Sequence, residues 1–172
     1  MLEEIKSQLP EWAKDVRLNL SKVLDLSQPD GLSHAQINGA ALAVAYHLND
    51  RPLIEALKEI AEDDQVDSAA KLAASLMAMT NIYYRYVHLS DHAELGLQPA
   101  GLRMQGMVNP GIDKITFEIL SLAVSILNGC GACISSHTRQ LTEHGLSAQA
   151  LARVGRIAAV IHATHVTKNL SD

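Results

Sequence analysis

Apolar residues recur three and four apart along most of the chain, Ala and Leu supply most of them, and the β-branched alternation of strands is scarce. This spacing predicts an all-α protein, helix after helix. A first helix is expected from about Pro10, a residue tolerated in a first turn, with Trp12, Val16, Leu20, Val23 and Leu24 on one stripe. Pro29-Asp30-Gly31 reads as a turn. Ser33 is suited to cap a helix running to about Leu48, and Asn49-Asp50 followed by Pro52 marks a break and a new start. That helix fades in Glu62-Asp63-Asp64. Asp67 is placed to cap a long helix from Ser68 to about Leu89, where Ala70, Ala73, Ala74 and Ala78 leave one side small enough for close packing.

From Ser90 to Ile112 the periodicity is broken by Gly96, Pro99, Gly101, Gly106, Pro110 and Gly111, so a loop-rich connection with one short helix is expected. Three helices follow: Asp113 to about Leu127, Cys130 to His144 stopped by Gly145, and Ser147 to about Lys168. Residues 36–44 lie over residues 116–124 at an offset of 80, and each stretch is followed by a break and another helix. This reads as a degenerate two-fold repeat. Only Leu-Ala-Val is identical, so ordinary helical patterning is the alternative explanation. If the repeat is real, the first copy has Asp50 and Leu53 where the second has its cysteines, and serves as structural support.

The 172 residues suit one domain with room for a sizeable core, and 48% apolar content is too high for a disordered chain. No run approaches the roughly 18 apolar residues of a membrane span. A formal net charge of -5 without a Lys/Arg block offers nothing to nucleic acid. The N-terminal stretch is charged from its third residue and lacks the apolar segment of a secretory signal, so a cytoplasmic protein is expected. The two cysteines, Cys130 and Cys133, close too short a loop to staple a secreted fold.

The reactive groups concentrate in Asn128-Gly129-Cys130-Gly131-Ala132-Cys133-Ile134-Ser135-Ser136-His137. Asn128-Gly129 should interrupt the preceding helix and place Cys130 near a new helix N-terminus, with Cys133 in the first turn. Free N–H groups and the positive end of the helix dipole favour thiolate there. Neighbouring sulfurs three residues apart can form an internal disulfide. His137, one turn beyond Cys133, can exchange a proton with it. Three readings stand: a reversible redox pair, a structural zinc site short of its four ligands, and inert buried thiols. Glu118 lies among Ile115, Phe117, Ile119, Leu120 and Leu122. Composition favours an exposed Glu on an amphipathic face; the alternative is a carboxylate folded back toward the cysteines as a proton acceptor.

Elsewhere, His88/His92 and His162/His165 have helical spacing for a metal but no accompanying acidic or cysteine ligands. Tyr83-Tyr84-Arg85-Tyr86 reads as packing or interface, and Met104 and Met107 as gap-filling core.

These pieces resemble a known family. Leu9-Pro10-Glu11-Trp12-Ala13-Lys14-Asp15, Asn19-Leu20-Ser21, Asn81-Ile82-Tyr83-Tyr84-Arg85, Leu102-Arg103-Met104, Asn109-Pro110-Gly111 and the block from Glu118 to His137 are similar to the alkyl hydroperoxide reductase D (AhpD) family, an all-α branch of the carboxymuconolactone decarboxylase-like superfamily. Its pattern is a Glu, eleven residues, Cys-x-x-Cys, three residues and a His, and Glu118, Cys130, Cys133 and His137 satisfy every position. The resemblance implies a single AhpD-like helical domain over 1–172 with its redox motif in 118–137. It implies an antioxidant disulfide reductase that takes electrons from the lipoyl group of a lipoylated dihydrolipoamide acyltransferase and passes them to an AhpC-like peroxiredoxin. Weak alkyl hydroperoxide reductase activity of its own, a homotrimer and no bound cofactor or metal go with it. Cys133 would be the more reactive thiol, Cys130 its disulfide partner, and His137 with Glu118 the proton relay, which raises Glu118 above the surface reading. One departure is Ala132, where family members often carry His, so any orienting role of that His is absent. The competing classes are a non-redox decarboxylase of the same superfamily, which needs no cysteines, and a metal-binding helical interaction module.

Overall fold

A computed structural model describes residues 1–61 and 63–170, and every regular element among them is helical. The elements are α1 (Leu2–Gln8), a 3-10 turn (Glu11–Ala13), α2 (Lys14–Val23), α3 (His34–Leu48), α4 (Arg51–Ala61), α5 (Asp64–Leu89), α6 (Ala93–Gly96), a second 3-10 turn (Gln105–Met107), α7 (Lys114–Leu127), α8 (Gly131–Glu143) and α9 (Ala148–Leu170). The all-α expectation holds.

Helices α3 and α7 form the centre. Residues Ile37–Ala45 and Thr116–Ser125 are buried without interruption, as apolar residues on every side of a helix require. They pack on each other; α3 also packs on α4, and both lie against α5 and α9, while α8 covers α7. Side-chain caps fix the starts. Ser33 and Gln36 form a reciprocal capping box, Asp113 Oδ1 accepts the Thr116 N–H at 2.9 Å, and Ser147 Oγ accepts that of Ala150 at 3.1 Å.

The N-terminal half departs from the sequence pattern in three places. Helix α1 precedes the expected first helix; it buries only Ile5, and so short a segment carries little periodicity to read. Pro10 opens a 3-10 turn rather than an α-helix, and this turn carries Trp12 outward, 66% exposed and off the expected stripe. Helix α5 begins a turn earlier than expected. Its cap is Asp63, which accepts the N–H groups of Gln65 and Val66, because Asp67 is drawn inward to accept from the Tyr46 hydroxyl and Lys71. Asp63 and Asp64 from the expected fading of α4 thus belong to the next helix; Glu62 lies outside the described residues. A further contact carries no sequence signal. Arg153 of α9 is fully buried and donates to the carbonyls of Val23 and Asp25 and to Asp30 Oδ2 at 2.9 Å, tying residues 23–30 to the core.

The repeat at an offset of 80 is present in the backbone. Asn49 ends α3 at φ 55° and Gly129 follows α7 at φ 62°. Asp50 N–H reaches the Ala45 carbonyl at 3.1 Å; Cys130 N–H reaches that of Ser125 at 3.2 Å. Asp50 Oδ1 caps the Leu53 N–H at 3.1 Å, and Cys130 Sγ caps that of Cys133 at 3.3 Å. Gln36 even meets its counterpart Thr116 across the α3–α7 contact, at 3.4 Å. Copies α3–α4–α5 and α7–α8–α9 are thus one supersecondary unit used twice, and in the first the capping position holds Asp50, bound by His165 and Lys168.

Candidate active site

The turn from α7 to α8 builds the site. With Gly129 left-handed, its N–H meets the Ile126 carbonyl at 3.1 Å while Cys130 N–H meets that of Ser125, a Schellman closure that satisfies the last carbonyls of α7. A side chain at 129 would strain this conformation. The same closure makes Cys130 the residue that caps α8, so its sulfur sits at a helix N-terminus and accepts the Cys133 N–H. A thiolate at Cys130 is stabilised by that donor and by the dipole.

Cys130 and Cys133 are joined as a disulfide, with Cα atoms 5.3 Å apart. The two residues differ in access: Cys130 is 0% exposed and Cys133 7%. Cys133 lines a cleft of about 280 Å³ that Cys130 does not reach. Met77, Thr80 and Tyr84 of α5 form one wall; Cys133, Ser136 and His137 of α8 form another. Met104 and Met107 close the third side and are half-buried; Met107 also packs against the core, as expected, whereas Met104 is a cleft wall.

Glu118 and His137 meet beneath the cleft. His137 Nδ1 stands 2.6 Å from Glu118 Oε2, and both residues are buried. Glu118 is therefore not on an exposed amphipathic face; α7 is buried on all sides, and the only charged side chain in its buried stretch is paired. Where the carboxylate is ionised it only accepts, so in that state Nδ1 carries the proton and Nε2 is the nitrogen left to take or give one. The structure thus brings all four residues of the expected constellation together.

Asn81 and Arg85, read from the sequence only within a family-like segment and a packing cluster, have a polar role behind the turn. Asn81 of α5 donates to Ser125 Oγ at 3.0 Å and accepts from Asn128 Nδ2 at 3.0 Å, while Arg85 donates to the Asn128 carbonyl. This polar network pins the turn that presents Cys130. Its signal was a pair of polar residues, Asn81 and Arg85, one turn apart on the face of α5 that carries Met77. Tyr83 and Tyr84 meet edge to face at 5.4 Å, so their packing role includes holding the Tyr84 wall. The histidine pairs are not brought into ligand sets: His165 is bound to Asp50, and His88, His92 and His162 are exposed. Among the described residues no cluster of three or more His, Cys, Asp or Glu is arranged to hold a metal ion.

A helical bundle that carries a closed Cys-x-x-Cys pair at a helix start, backed by a buried Glu–His pair, is built as a dithiol protein. Known proteins of this kind are similar to it along nearly the whole chain. The carboxymuconolactone decarboxylase family matches residues 93–170, the half from α6 to the end of α9 that holds the cysteines. Alkyl hydroperoxide reductase AhpD of Coxiella burnetii is 51% identical over 94% of this chain and 93% of its own length. The proteins of that name from Bradyrhizobium sp. and Maricaulis maris are 44% and 43% identical, over 96% and 94% of the chain and 91% and 94% of their own lengths. The chain belongs to the AhpD family of the carboxymuconolactone decarboxylase-like superfamily, and is a peroxide-related oxidoreductase. None of its helices among the described residues is long and apolar enough to cross a membrane.

Proposed function

We propose that this protein is an antioxidant thiol-disulfide reductase whose Cys130–Cys133 pair takes two electrons from a lipoylated carrier, a dihydrolipoamide acyltransferase, and passes them to an AhpC-like peroxiredoxin. The observation that carries the reading is the asymmetry of the disulfide: one sulfur in an apolar cleft beside a His–Glu pair, the other buried at a helix N-terminus.

In the reductive half, a thiolate of the dihydrolipoyl group attacks Cys133 Sγ, the sulfur open to the cleft. The Cys130–Cys133 bond breaks, and Cys130 leaves as a thiolate held by the α8 N-terminus. The second lipoyl thiol then attacks its own partner sulfur in the mixed disulfide, which closes the lipoyl ring and releases Cys133. His137 takes the proton of the incoming thiol and returns it to the departing sulfur, while Glu118 stabilises the transient imidazolium. In the oxidative half, Cys133 thiolate attacks the peroxiredoxin disulfide and Cys130 resolves the adduct. The protein's own weak peroxidase activity follows the same order: Cys133 gives its electron pair to a hydroperoxide, forming a sulfenic acid and an alcohol, and Cys130 then displaces hydroxide to restore the disulfide.

A homotrimer in the cytoplasm completes the proposal. Its local support is an exposed apolar stripe on α5, Ile82, Tyr86 and Leu89, at the spacing of one helix face. The test is a reconstituted assay with dihydrolipoamide, this protein, an AhpC-like peroxiredoxin and an alkyl hydroperoxide, with zinc analysis of the same sample. Peroxide consumption is expected to require all components. Full consumption without this protein, or stoichiometric zinc with thiols that never titrate, refutes the proposal.

A further inference from the structure

The cleft beside Cys133 has two walls of a different kind from the third. The α5 and α8 walls are regular helices held by their own backbone ladders and by the core. Met104 and Met107 instead belong to the connection between α6 and α7, whose only regular element is the 3-10 turn Gln105–Met107. Its place is set by contact. Gly106, between the two methionines, lies so close to α5 that a Cβ there would stand 2.9 Å from Leu72 Cδ1, 3.2 Å from Leu72 Cδ2 and 3.3 Å from Leu76 Cδ1. Gly106 does not have positive φ, so what a side chain here would meet is this close approach and not backbone strain: a methyl displaces the end of Leu72, and a larger group displaces the segment. The glycine is a key seated between two leucines, and the methionines on either side of it form the wall.

Methionine is unbranched and polarisable, and it moulds to apolar shapes of differing outline. A wall of two methionines in a cleft that Met77, Tyr84 and Cys133 also line offers an apolar surface beside the disulfide. We infer that the Met104–Met107 segment, held in place by Gly106 against Leu72 and Leu76, is the specificity wall that selects dithiols carrying a hydrocarbon arm over small hydrophilic dithiols. This rests on the lipoyl-donor reading above and names the part of the site that makes the choice. The chemistry at sulfur is unchanged; the wall adds binding to the arm, in the range of a methylene or two in an apolar pocket, about ten- to a hundredfold in selectivity.

The test compares reduction of the oxidised protein by dihydrolipoamide and by dithiothreitol, whose thiols are similar but which lacks the arm. The parent is expected to react faster with dihydrolipoamide. In Met107→Ser and Met104→Ser, which keep the backbone and make the wall polar, the ratio of the two rates should fall about five- to twentyfold, with the change in KM for dihydrolipoamide. An Ala at 106 is met by rotation of Leu72, so the keyed contact is probed with Gly106→Val, which should lower the same ratio. Gly106→Val combined with Leu72→Ala, which makes room for the new side chain, should restore it; a merely unfolded variant would not be rescued. A parent that does not prefer dihydrolipoamide overturns the lipoyl reading and the wall's role together. A parent that prefers it, with methionine and Gly106 variants that prefer it equally, overturns the wall alone.

Discussion

Glu118→Gln isolates what the carboxylate does for His137. The substitution keeps the shape of a side chain buried within α7 and keeps an oxygen facing Nδ1 at the 2.6 Å contact, so packing and a neutral hydrogen bond survive. What is lost is the charge. A hydrogen bond to an ionised partner contributes about 1.5–3 kcal/mol against about 0.5–1.5 for a neutral one, so imidazolium loses about 1–1.5 kcal/mol of support. That difference converts to about a tenfold slower step wherever His137 must carry a proton, and to about tenfold slower turnover if both halves of the cycle depend on it, because the times of successive steps add. Stability should barely move, by less than about 1 kcal/mol, because the buried carboxylate's desolvation is relieved as its hydrogen bond weakens. Glu118→Ala is the contrast: it leaves a cavity and an unpartnered ring nitrogen and should cost about 2–4 kcal/mol. Stopped-flow reduction by dihydrolipoamide and thermal unfolding, on the same preparations, give both quantities. A Glu118→Gln protein that reduces within twofold of the parent would refute the relay.

His137→Phe should slow alkylation of the reduced protein, and in the parent Cys133 should be modified before Cys130 near neutral pH; peptide mapping after limiting iodoacetamide reads both, and preferential labelling of Cys130 reverses the assignment. Burial pushes the Asp50 carboxyl up, but hydrogen bonds from Lys168, His165 and the Leu53 amide outweigh it and hold Asp50 below the usual carboxylate range. Its contribution is therefore fully present above about pH 4 and is lost progressively as pH falls below that: Asp50→Asn should cost about 1 kcal/mol at pH 7 and less with each step of acidification below about pH 4, and a gap in unfolding midpoint that does not shrink on acidification contradicts this. Light scattering at low micromolar concentration should give about three times the 18.6 kDa chain mass, and a mass near one chain removes the interface drawn on α5.

The half of the site that is local in sequence was legible there. Gly129, Cys130 and Cys133 sit within one turn, so the break and the helix start follow from spacing, and spacing makes an internal disulfide one of three readings, the one the structure holds. Glu118 was different. Nothing within its own helix distinguishes a paired carboxylate from an exposed one, since its partner lies nineteen residues on and on another helix; only the resemblance put the two together. Arg153 illustrates the same limit without a resemblance to help. An arginine reads as surface by type, yet here it is buried because the carbonyls of residues 23 and 25 and the Asp30 carboxylate, more than 120 residues away, converge on it. Capping residues were legible where one candidate stood at a helix start, as with Ser33. They were misplaced where Asp63 and Asp67 competed, because a tertiary contact from Tyr46 claimed the second. The repeat lost its side-chain identity but kept its turn chemistry, with Asn49 and Gly129 filling the same left-handed position.

The most direct test of a cleft-facing disulfide that accepts a dithiol's electrons is a thiol map taken before and after dihydrolipoamide, without oxygen. The purified protein is quenched in acid, alkylated and read by mass spectrometry. Before reduction neither cysteine should take the label and the peptide should carry an internal Cys130–Cys133 bond. After one equivalent of dihydrolipoamide both cysteines should be labelled, and early quenches should hold the lipoamide adduct on Cys133. Two free thiols at the outset that persist under mild peroxide, or a disulfide that dihydrolipoamide leaves intact, would contradict the account.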